Sequence, residues 1–229
     1  MIADPPLLTI RRKFDRVGPQ DVAKFLGAQT VHVVDAMEGH GALDYRIKPL
    51  DPVSASFAGP ALTCQAGADD NLALLAAFAM AEPGDVIVAT TEGFTGSAVF
   101  GDLFARYACN CGVVAIVTDG LARDTAGIID TGLPVFVGGV TPGSSARSGP
   151  GAVGLPIVIG RISVSAGDLI VGDRDGVVVV PRSEVDAVSV RLDQVRLAES
   201  HFEEDAAKGL RVPDFMQVLL QSKSVVYLD

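Results

Sequence analysis

The stretch FGDLFARYACNCGVVAIVTDGLARD, residues 100–124, decides the fold. Gly101-Asp102 opens a helical pattern carried by Leu103, Phe104, Tyr107 and Ala108, and residues 113–117 form an apolar run that reads as a buried strand. Asp119-Gly120 then turns the chain into Arg123-Asp124. Helix, buried strand and turn in that order are the units of an α/β protein. Asp102, Arg123 and Asp124 therefore fall at the ends of elements. At such ends backbone amides and side chains converge on small anionic ligands. A small acid together with a divalent cation suits this set of charges.

Working outward, residues 19–26 read as a short helix and 53–65 as a strand region rich in small and β-branched residues. Residues 70–80 form a helix that is apolar on most of its surface, with Asp70 able to cap it. A turn at 82–85 leads to a short strand at 86–89, and Gly93 to Gly96 is a flexible loop running toward Asp102. After Asp124 come a short helix at 126–130 ended by Gly132, and a strand at 135–137. Residues 140–154, rich in Gly, Ser and Pro with Arg147 as their one charge, read as a mobile surface loop. Residues 157–164 and a hairpin at 169–180, turned at residues 173–176, add β structure. From 183 to 207 the spacing of Val185, Val188, Leu192 and Val195 predicts a helix with a charged outer face, able to pack at a subunit interface as readily as on its own domain.

With 229 residues and no Pro/Ser/Gly-rich linker, the chain reads as one domain, 1–229, around one sizeable core. No apolar run is long enough to span a bilayer, despite a mean hydropathy of +0.37. The N-terminal residues lack a basic start leading into a long apolar segment, so a cytoplasmic location is expected and no membrane partner. A net charge of -10 argues against nucleic acid, because phosphate contacts need a basic surface. It does not exclude a small anion, since the field in a pocket is set by its nearest charges, here Arg123 and any bound metal. Cys64, Cys109 and Cys111 lack zinc-site spacing and are expected to be reduced packing residues. His32, His40 and His201 are too scattered for a histidine cage.

Local sequence by itself explains both acids as helix starters: Asp124 as a cap before Thr125-Ala126, and Asp102 as a carboxylate favoured by a helix dipole. The wider pattern adds a second reading. Gly-Asp, Arg-Asp some twenty residues later and then Leu133-Pro134-Val135-Phe136 resemble the RraA-like family, and within it the branch of 4-hydroxy-4-methyl-2-oxoglutarate / 4-carboxy-4-hydroxy-2-oxoadipate aldolases. The resemblance continues through Thr30-Val31-His32, Asp35-Ala36-Met37-Glu38, Gly59-Pro60-Ala61-Leu62-Thr63 and Asp70-Asn71-Leu72-Ala73-Leu74. It covers Pro83-Gly84-Asp85-Val86, Gly167-Asp168-Leu169-Ile170-Val171 and Asp175-Gly176-Val177 as well.

This resemblance implies an α/β fold of the swivelling β/β/α sandwich type, assembled as a homotrimer or homohexamer, with the C-terminal helical segment, about 183–229, packing on a neighbouring subunit. It implies a carbon-carbon lyase that uses Mg²⁺ or Mn²⁺ to release pyruvate from a small 2-oxo dicarboxylic or tricarboxylic acid, the other product being pyruvate or oxaloacetate. Oxaloacetate decarboxylation is the expected side activity. In such aldolases the aspartate of the Arg-Asp pair holds the cation, which places Asp124 as direct ligand, with Asp102 and Glu199 reaching the ion through water and Glu203 as the alternative to Glu199. The Glu would come from the adjacent subunit.

The residue types suit that chemistry. Arg123, planar and always charged, pairs with a carboxylate and with developing enolate charge, and Asp102 positions a water for proton transfer. The helix start, Gly101, Asp102, Leu103 and Phe104, offers backbone amides to a carboxylate. Arg147 aligns with a lysine of close relatives and is expected to bind the distal carboxylate. No lysine lies near the site in sequence, so a Schiff base is not suggested. The competing function is that of a non-catalytic RraA-like regulator binding ribonuclease E, whose relatives typically lack the aspartate at position 124. A third label in the family, menaquinone methyltransferase, fails because no glycine-rich nucleotide loop and ribose-binding acid follow the first strand.

Overall fold

The computed structural model describes residues 5–228; the first residues of the N-terminal stretch read above and Asp229 lie outside the described residues. The core is built on four parallel strands, Phe57–Gln65, Val86–Thr90, Ala115–Thr118 and Val135–Val137, hydrogen-bonded in that order. Parallel strands are covered on both faces, so they read as continuous apolar runs. Alternate residues nevertheless go to different layers. Leu62, Cys64, Ile87, Ala89 and Ile116 pack under the helices Leu72–Met80 and Asp102–Asn110. Ala61, Val86, Val88, Ala115 and Val117 face the other way, onto Ile157, Ile159 and Val164 of the hairpin built from Ile157–Ile159 and Ile162–Val164.

The strand Phe57–Gln65 serves two pairings. Its second half makes the parallel ladder to Val86–Thr90, while Phe57 to Pro60 pair antiparallel with Leu169–Asp173 of the C-terminal hairpin. That hairpin, Leu169–Asp173 and Gly176–Val180, is the one expected, turned at Arg174-Asp175. Its outer face carries the helices Pro19–Phe25, Thr30–Ala36 and Val185–Ala207. The fork requires a close backbone approach at Gly59, where a Cβ would stand 2.5 Å from the Gly84 carbonyl oxygen.

A third layer is a small sheet of three parallel strands, Ala98–Phe100, Leu121–Ala122 and Gly139–Val140. Val99, Phe100 and Ala122 join the helices' core. The wide sheet, the small three-stranded sheet and the two-stranded hairpin, packed with helices, make this the β/β/α sandwich expected.

The longer elements match the sequence reading and the shortest strands escape it; three further differences bear on the site and core. The helix Thr30–Ala36 is absent from the sequence reading; its buried face, Thr30, Val33 and Ala36, spans only about two turns, and its start is fixed from outside, by the Asp173 carboxylate accepting the Thr30 N–H at 2.7 Å and the Thr30 hydroxyl at 2.7 Å. Residues 140–154 are not a free loop. They hold the strand Gly151–Val153, and between them bridges from Ser144 to Ala98 and from Ala146 to Asp70 pin the chain. The cysteines also divide: Cys64 is buried, and burial pushes its thiol up to about 12, whereas Cys109 is exposed and Cys111 half-buried. Cys64 is a core residue and Cys111 packs against that core, so Cys109 alone departs from the expected packing role.

Two measurements check these features. Gly59→Ala should cost about 1–3 kcal/mol through overpacking and lower Tm by several degrees, while Gly18→Ala, with nothing within 4 Å of the added carbon, leaves Tm nearly unchanged. A thiol reagent on the native protein should label Cys109 first, Cys111 more slowly and Cys64 only on unfolding. Rapid labelling of Cys64 would contradict the packing described.

Candidate active site

Each strand of the small parallel sheet ends on the same edge. Ala98–Phe100 delivers Gly101 and Asp102, Leu121–Ala122 delivers Arg123 and Asp124, and Gly139–Val140 delivers the pinned loop that carries Arg147. Parallel strands place their carboxyl ends together, which is where α/β proteins gather ligand-binding groups. The sequence motifs twenty residues apart are neighbours for this reason.

Two glycines set how closely they meet. A Cβ at Gly101 would stand 2.6 Å from Asp124 Oδ2, and one at Gly127 would stand 2.7 Å from Asp102 Cβ. Each acid thus lies against a glycine of the other's segment, and the two helix starts interlock. Asp102 is the first residue of the helix Asp102–Asn110; its nearest cation is Arg106, at 4.0 Å. Asp124 precedes the helix Thr125–Ile129 in the left-handed backbone conformation, φ 55° and ψ 41°. This is a region that non-glycine residues enter rarely, aspartate more readily than most.

The capping explanation of Asp124 fails at this point. It occupies the cap position, but its carboxylate makes no capping hydrogen bond; its Oδ2 lies 3.4 Å from Arg123 Nε instead. Several aspartates that join segments of the fold behave differently. Asp119 accepts the Thr91 and Gly93 N–H groups at 2.7 and 3.1 Å, Asp168 those of Ser165 and Arg182 at 2.8 and 2.9 Å, and Asp85 that of Glu82 at 2.9 Å as well as the Arg16 guanidinium. Neither Asp102 nor Asp124 accepts any hydrogen bond from the described residues. About half of the Asp124 side chain is open to solvent, and 41% of Arg123. These are hard oxygens left available beside a cation.

A larger cleft, about 710 Å³, opens at the carboxyl ends of the wide sheet, lined by Gln65, Thr90, Asp119, Gly138, Arg46 and Arg161 among others. Its charges are already engaged with each other. Arg46 grips Asp44 at 2.9 and 3.0 Å, with Arg161 at 3.7 Å, and these cations hold the Asp44 carboxyl far below the usual carboxylate range. Gln65 donates to Glu92 at 2.8 Å, and Asp119 is saturated by Thr90, Thr91 and Gly93. The Arg123 edge carries carboxylates that accept no hydrogen bond from the described residues, so it is the stronger candidate.

Of the remaining expected residues, Leu103 is exposed and Phe104 buried at the same helix start. Arg147 is brought there: its guanidinium lies 5.8 Å from the Phe104 ring centre and its Nε donates to Asn71 Oδ1 at 3.3 Å. Asn71 stood in the sequence only as part of a family motif. Glu199 and Glu203 are not brought to the site within one chain. The helix Val185–Ala207 packs on Thr30–Ala36 and Pro19–Phe25 through Val185, Val188 and Leu192, and both glutamates lie beyond that buried stretch. No group of three or more His, Cys, Asp or Glu side chains able to hold a metal ion occurs among the described residues. One or two free carboxylates fit an ion that keeps most of its waters, as Mg²⁺ does, and do not form a closed cage.

The chain and its fold correspond to known proteins. Residues 30–179 match the family model RraA-like, described as Aldolase/RraA, and the chain belongs to the RraA-like family. A protein of Halalkalibacterium halodurans named "Putative 4-hydroxy-4-methyl-2-oxoglutarate aldolase" is 37% identical over 167 residues, covering 73% of this chain and 79% of that protein. A crystal structure of an uncharacterized protein from Pseudomonas syringae pv. tomato superposes with a TM-score of 0.74 at 26% identity, covering 86% of this chain and 96% of its own. An unusual member of the RNase ES inhibitor RraA protein family from Streptomyces coelicolor superposes with a TM-score of 0.72 at 26% identity, covering 85% and 100%. No helix is long and apolar enough to cross a membrane among the described residues.

The interlock can be measured without a ligand. Gly101 has an extended backbone that any residue adopts, so space alone excludes a side chain there. Gly101→Ala should lower Tm, and should lower it less when made in Asp124→Ala, where the oxygen 2.6 Å away is gone, than in the wild type. Additive effects of the two substitutions would mean that the acid does not lie over the glycine.

Proposed function

We propose that the protein is a divalent-metal-dependent aldolase that cleaves a 4-hydroxy-2-oxo diacid or triacid, 4-hydroxy-4-methyl-2-oxoglutarate or 4-carboxy-4-hydroxy-2-oxoadipate, to pyruvate plus pyruvate or oxaloacetate. The observation that carries this reading is the pair of carboxylates, Asp102 and Asp124, that accept no hydrogen bond and flank Arg123 on one sheet edge, with only ion pairs of 4.0 and 3.4 Å to neighbouring arginines. The relative named as an aldolase of this class adds support.

Asp124 would hold Mg²⁺ or Mn²⁺ directly, with Asp102 and Glu199 of the partner subunit, or Glu203 in its place, reaching it through water. Bound there, the ion supplies Lewis-acid stabilisation to the 2-oxo acid. The chain's own groups do the rest. Arg123 pairs with the C1 carboxylate and faces the C2 oxygen as charge develops on it. Asp102 holds a water that takes the proton of the 4-hydroxyl; the C3–C4 bond breaks, C4 becomes a carbonyl, and the electron pair passes into the enolate of pyruvate. The same water returns a proton to C3. Oxaloacetate loses CO₂ to the same enolate, which accounts for a decarboxylase side activity. Arg147, over Phe104, takes the distal carboxylate.

Exposed Leu197, Phe202, Phe215, Val218 and Leu219 on the C-terminal helices suit a helical segment covered by a neighbouring subunit, in a trimer or hexamer. The second reading, a non-catalytic regulator of a ribonuclease, is favoured by the Streptomyces relative. A protein-binding role needs no metal ligand at Asp124.

Pyruvate release from several 4-hydroxy-2-oxo acids, with and without Mg²⁺, is the deciding assay. Asp124→Asn should abolish turnover with Tm retained, and chelation should do the same until Mg²⁺ or Mn²⁺ is restored; undiminished metal-stimulated turnover in that variant would remove Asp124 as ligand. Arg123→Lys should cut kcat for every substrate, whereas Arg147→Ala should mainly raise KM for substrates with a distal carboxylate. Equal losses in both variants on oxaloacetate and on an aldol substrate would place Arg147 in the reacting centre. Light scattering should report at least a trimer, and a fully active monomer would refute the shared site.

A further inference from the structure

Arg147 reaches the site from a loop whose backbone is fixed at both sides of it. On the N-terminal side, the Ala146 N–H donates to the Asp69 carbonyl at 2.7 Å, and the Ala146 carbonyl accepts the Asn71 N–H at 3.0 Å. On the C-terminal side, Asp70 Oδ2 accepts the Ser148 N–H and, at 2.9 Å, the Gly149 N–H. The other oxygen of the same carboxylate accepts the N–H of Leu72, the first residue of the helix Leu72–Met80, at 2.8 Å. Asp70 is 6% exposed, so these are shielded, charge-assisted bonds. The residue expected only to cap a helix therefore ties that helix to the loop.

The side chain is fixed as well. Asn71, 6% exposed, accepts the Arg147 Nε–H at 3.3 Å through Oδ1, and the guanidinium lies over the Phe104 ring. With Nε engaged, the two Nη groups remain as a forked pair of donors, the geometry that matches a carboxylate. A lysine here would have no donor midway along its side chain for Asn71 while keeping its ammonium free. Two residues earlier, Ser145 carries the only buried side-chain oxygen among the described residues without a hydrogen-bond partner, a donor left for a ligand atom or a water.

We propose that Asp70 and Asn71 are positioning residues that hold Arg147 as a preset receptor at fixed reach, so that this clamp selects ligands by the presence and distance of a second carboxylate. The proposal rests on the reading of Arg147 as the distal-carboxylate group. Preorganisation is the physical gain: a free arginine loses rotamer freedom on binding, and here the Asn71 hydrogen bond and the Phe104 ring supply part of that ordering beforehand to a side chain that is otherwise exposed.

The test is calorimetric titration of the full-length protein, in Mg²⁺, with 2-oxoglutarate and with pyruvate. The first has a distal carboxylate but no 4-hydroxyl, so it cannot undergo retro-aldol cleavage; the second has no distal carboxylate. Arg147→Ala and Asn71→Ala should each weaken 2-oxoglutarate about tenfold, with a far smaller change for pyruvate, and the double variant should be no weaker than Arg147→Ala alone. Asp70→Asn should shift 2-oxoglutarate affinity in the same direction and speed hydrogen exchange at the Ser148 and Gly149 amides. Wild-type affinity in Asn71→Ala, additive losses in the double variant, or no preference of the wild type for 2-oxoglutarate over pyruvate would each overturn the proposal. Because the titration needs no turnover, it separates from the aldolase reading: a wild type that releases no pyruvate yet shows the coupled losses removes the aldolase and keeps the clamp.

Discussion

Three short parallel strands fix everything else about the candidate site. Parallel pairing forces their carboxyl ends onto one edge, so segments twenty and forty residues apart must present their following residues side by side. Strands of two or three residues could not do this alone. They are held because Val99, Phe100 and Ala122 are buried with the helices Leu72–Met80 and Asp102–Asn110 against the wide sheet. The wide sheet in turn depends on the strand Phe57–Gln65, which serves two pairings and tolerates the crowding only because residue 59 is glycine.

On that edge, what distinguishes function from architecture is not the presence of acids but how completely they are paired. Asp70, Asp85, Asp119, Asp168 and Asp173 each accept backbone N–H groups and join distant segments. Such bonds satisfy both partners, and removing one leaves a buried donor unpaired. Asp102 and Asp124 join nothing by hydrogen bonds. The chain holds them in place through glycine contacts and a left-handed backbone at residue 124, which are steric devices that leave the oxygens free. Holding a group by its backbone while leaving its polar atoms available is what a binding site requires and a structural carboxylate does not.

Much of this was legible in the sequence. The apolar runs at 57–65, 86–90, 115–118 and 169–180 announce themselves because buried strands need such composition, and the helix at 102–110 carries its own period. The shortest strands, Lys48–Pro49, Leu121–Ala122 and Gly139–Val140, do not, since two residues carry no period. The helix Thr30–Ala36 was hidden for another reason: its start is set by Asp173, far away in sequence. Arg147 looked like part of a mobile loop because Gly, Ser and Pro are the usual signs of one. The bonds that pin it come from Asp69, Asp70 and Asn71, and no local reading reaches across that separation. Asn71 itself gave no signal beyond its place in a motif.

Solvent decides what such an edge can do. Two unit charges 4 Å apart attract by about 1 kcal/mol in bulk water and about 4 kcal/mol at an effective dielectric of 20. With Arg123 and Asp124 each roughly half open, a single chain keeps these groups near the weaker limit. Electrostatic stabilisation of a developing negative charge is strongest where water is excluded and donors are fixed. Exposed apolar side chains lie both at the site, such as Leu103 and Ile129, and on the helices beyond Leu192, such as Leu197, Phe202 and Phe215. A cover supplied by a second copy would close the edge and bury those side chains in one step. Assembly and chemistry would then draw on the same free energy, with the apolar area lost from water offsetting the cost of dehydrating the acids.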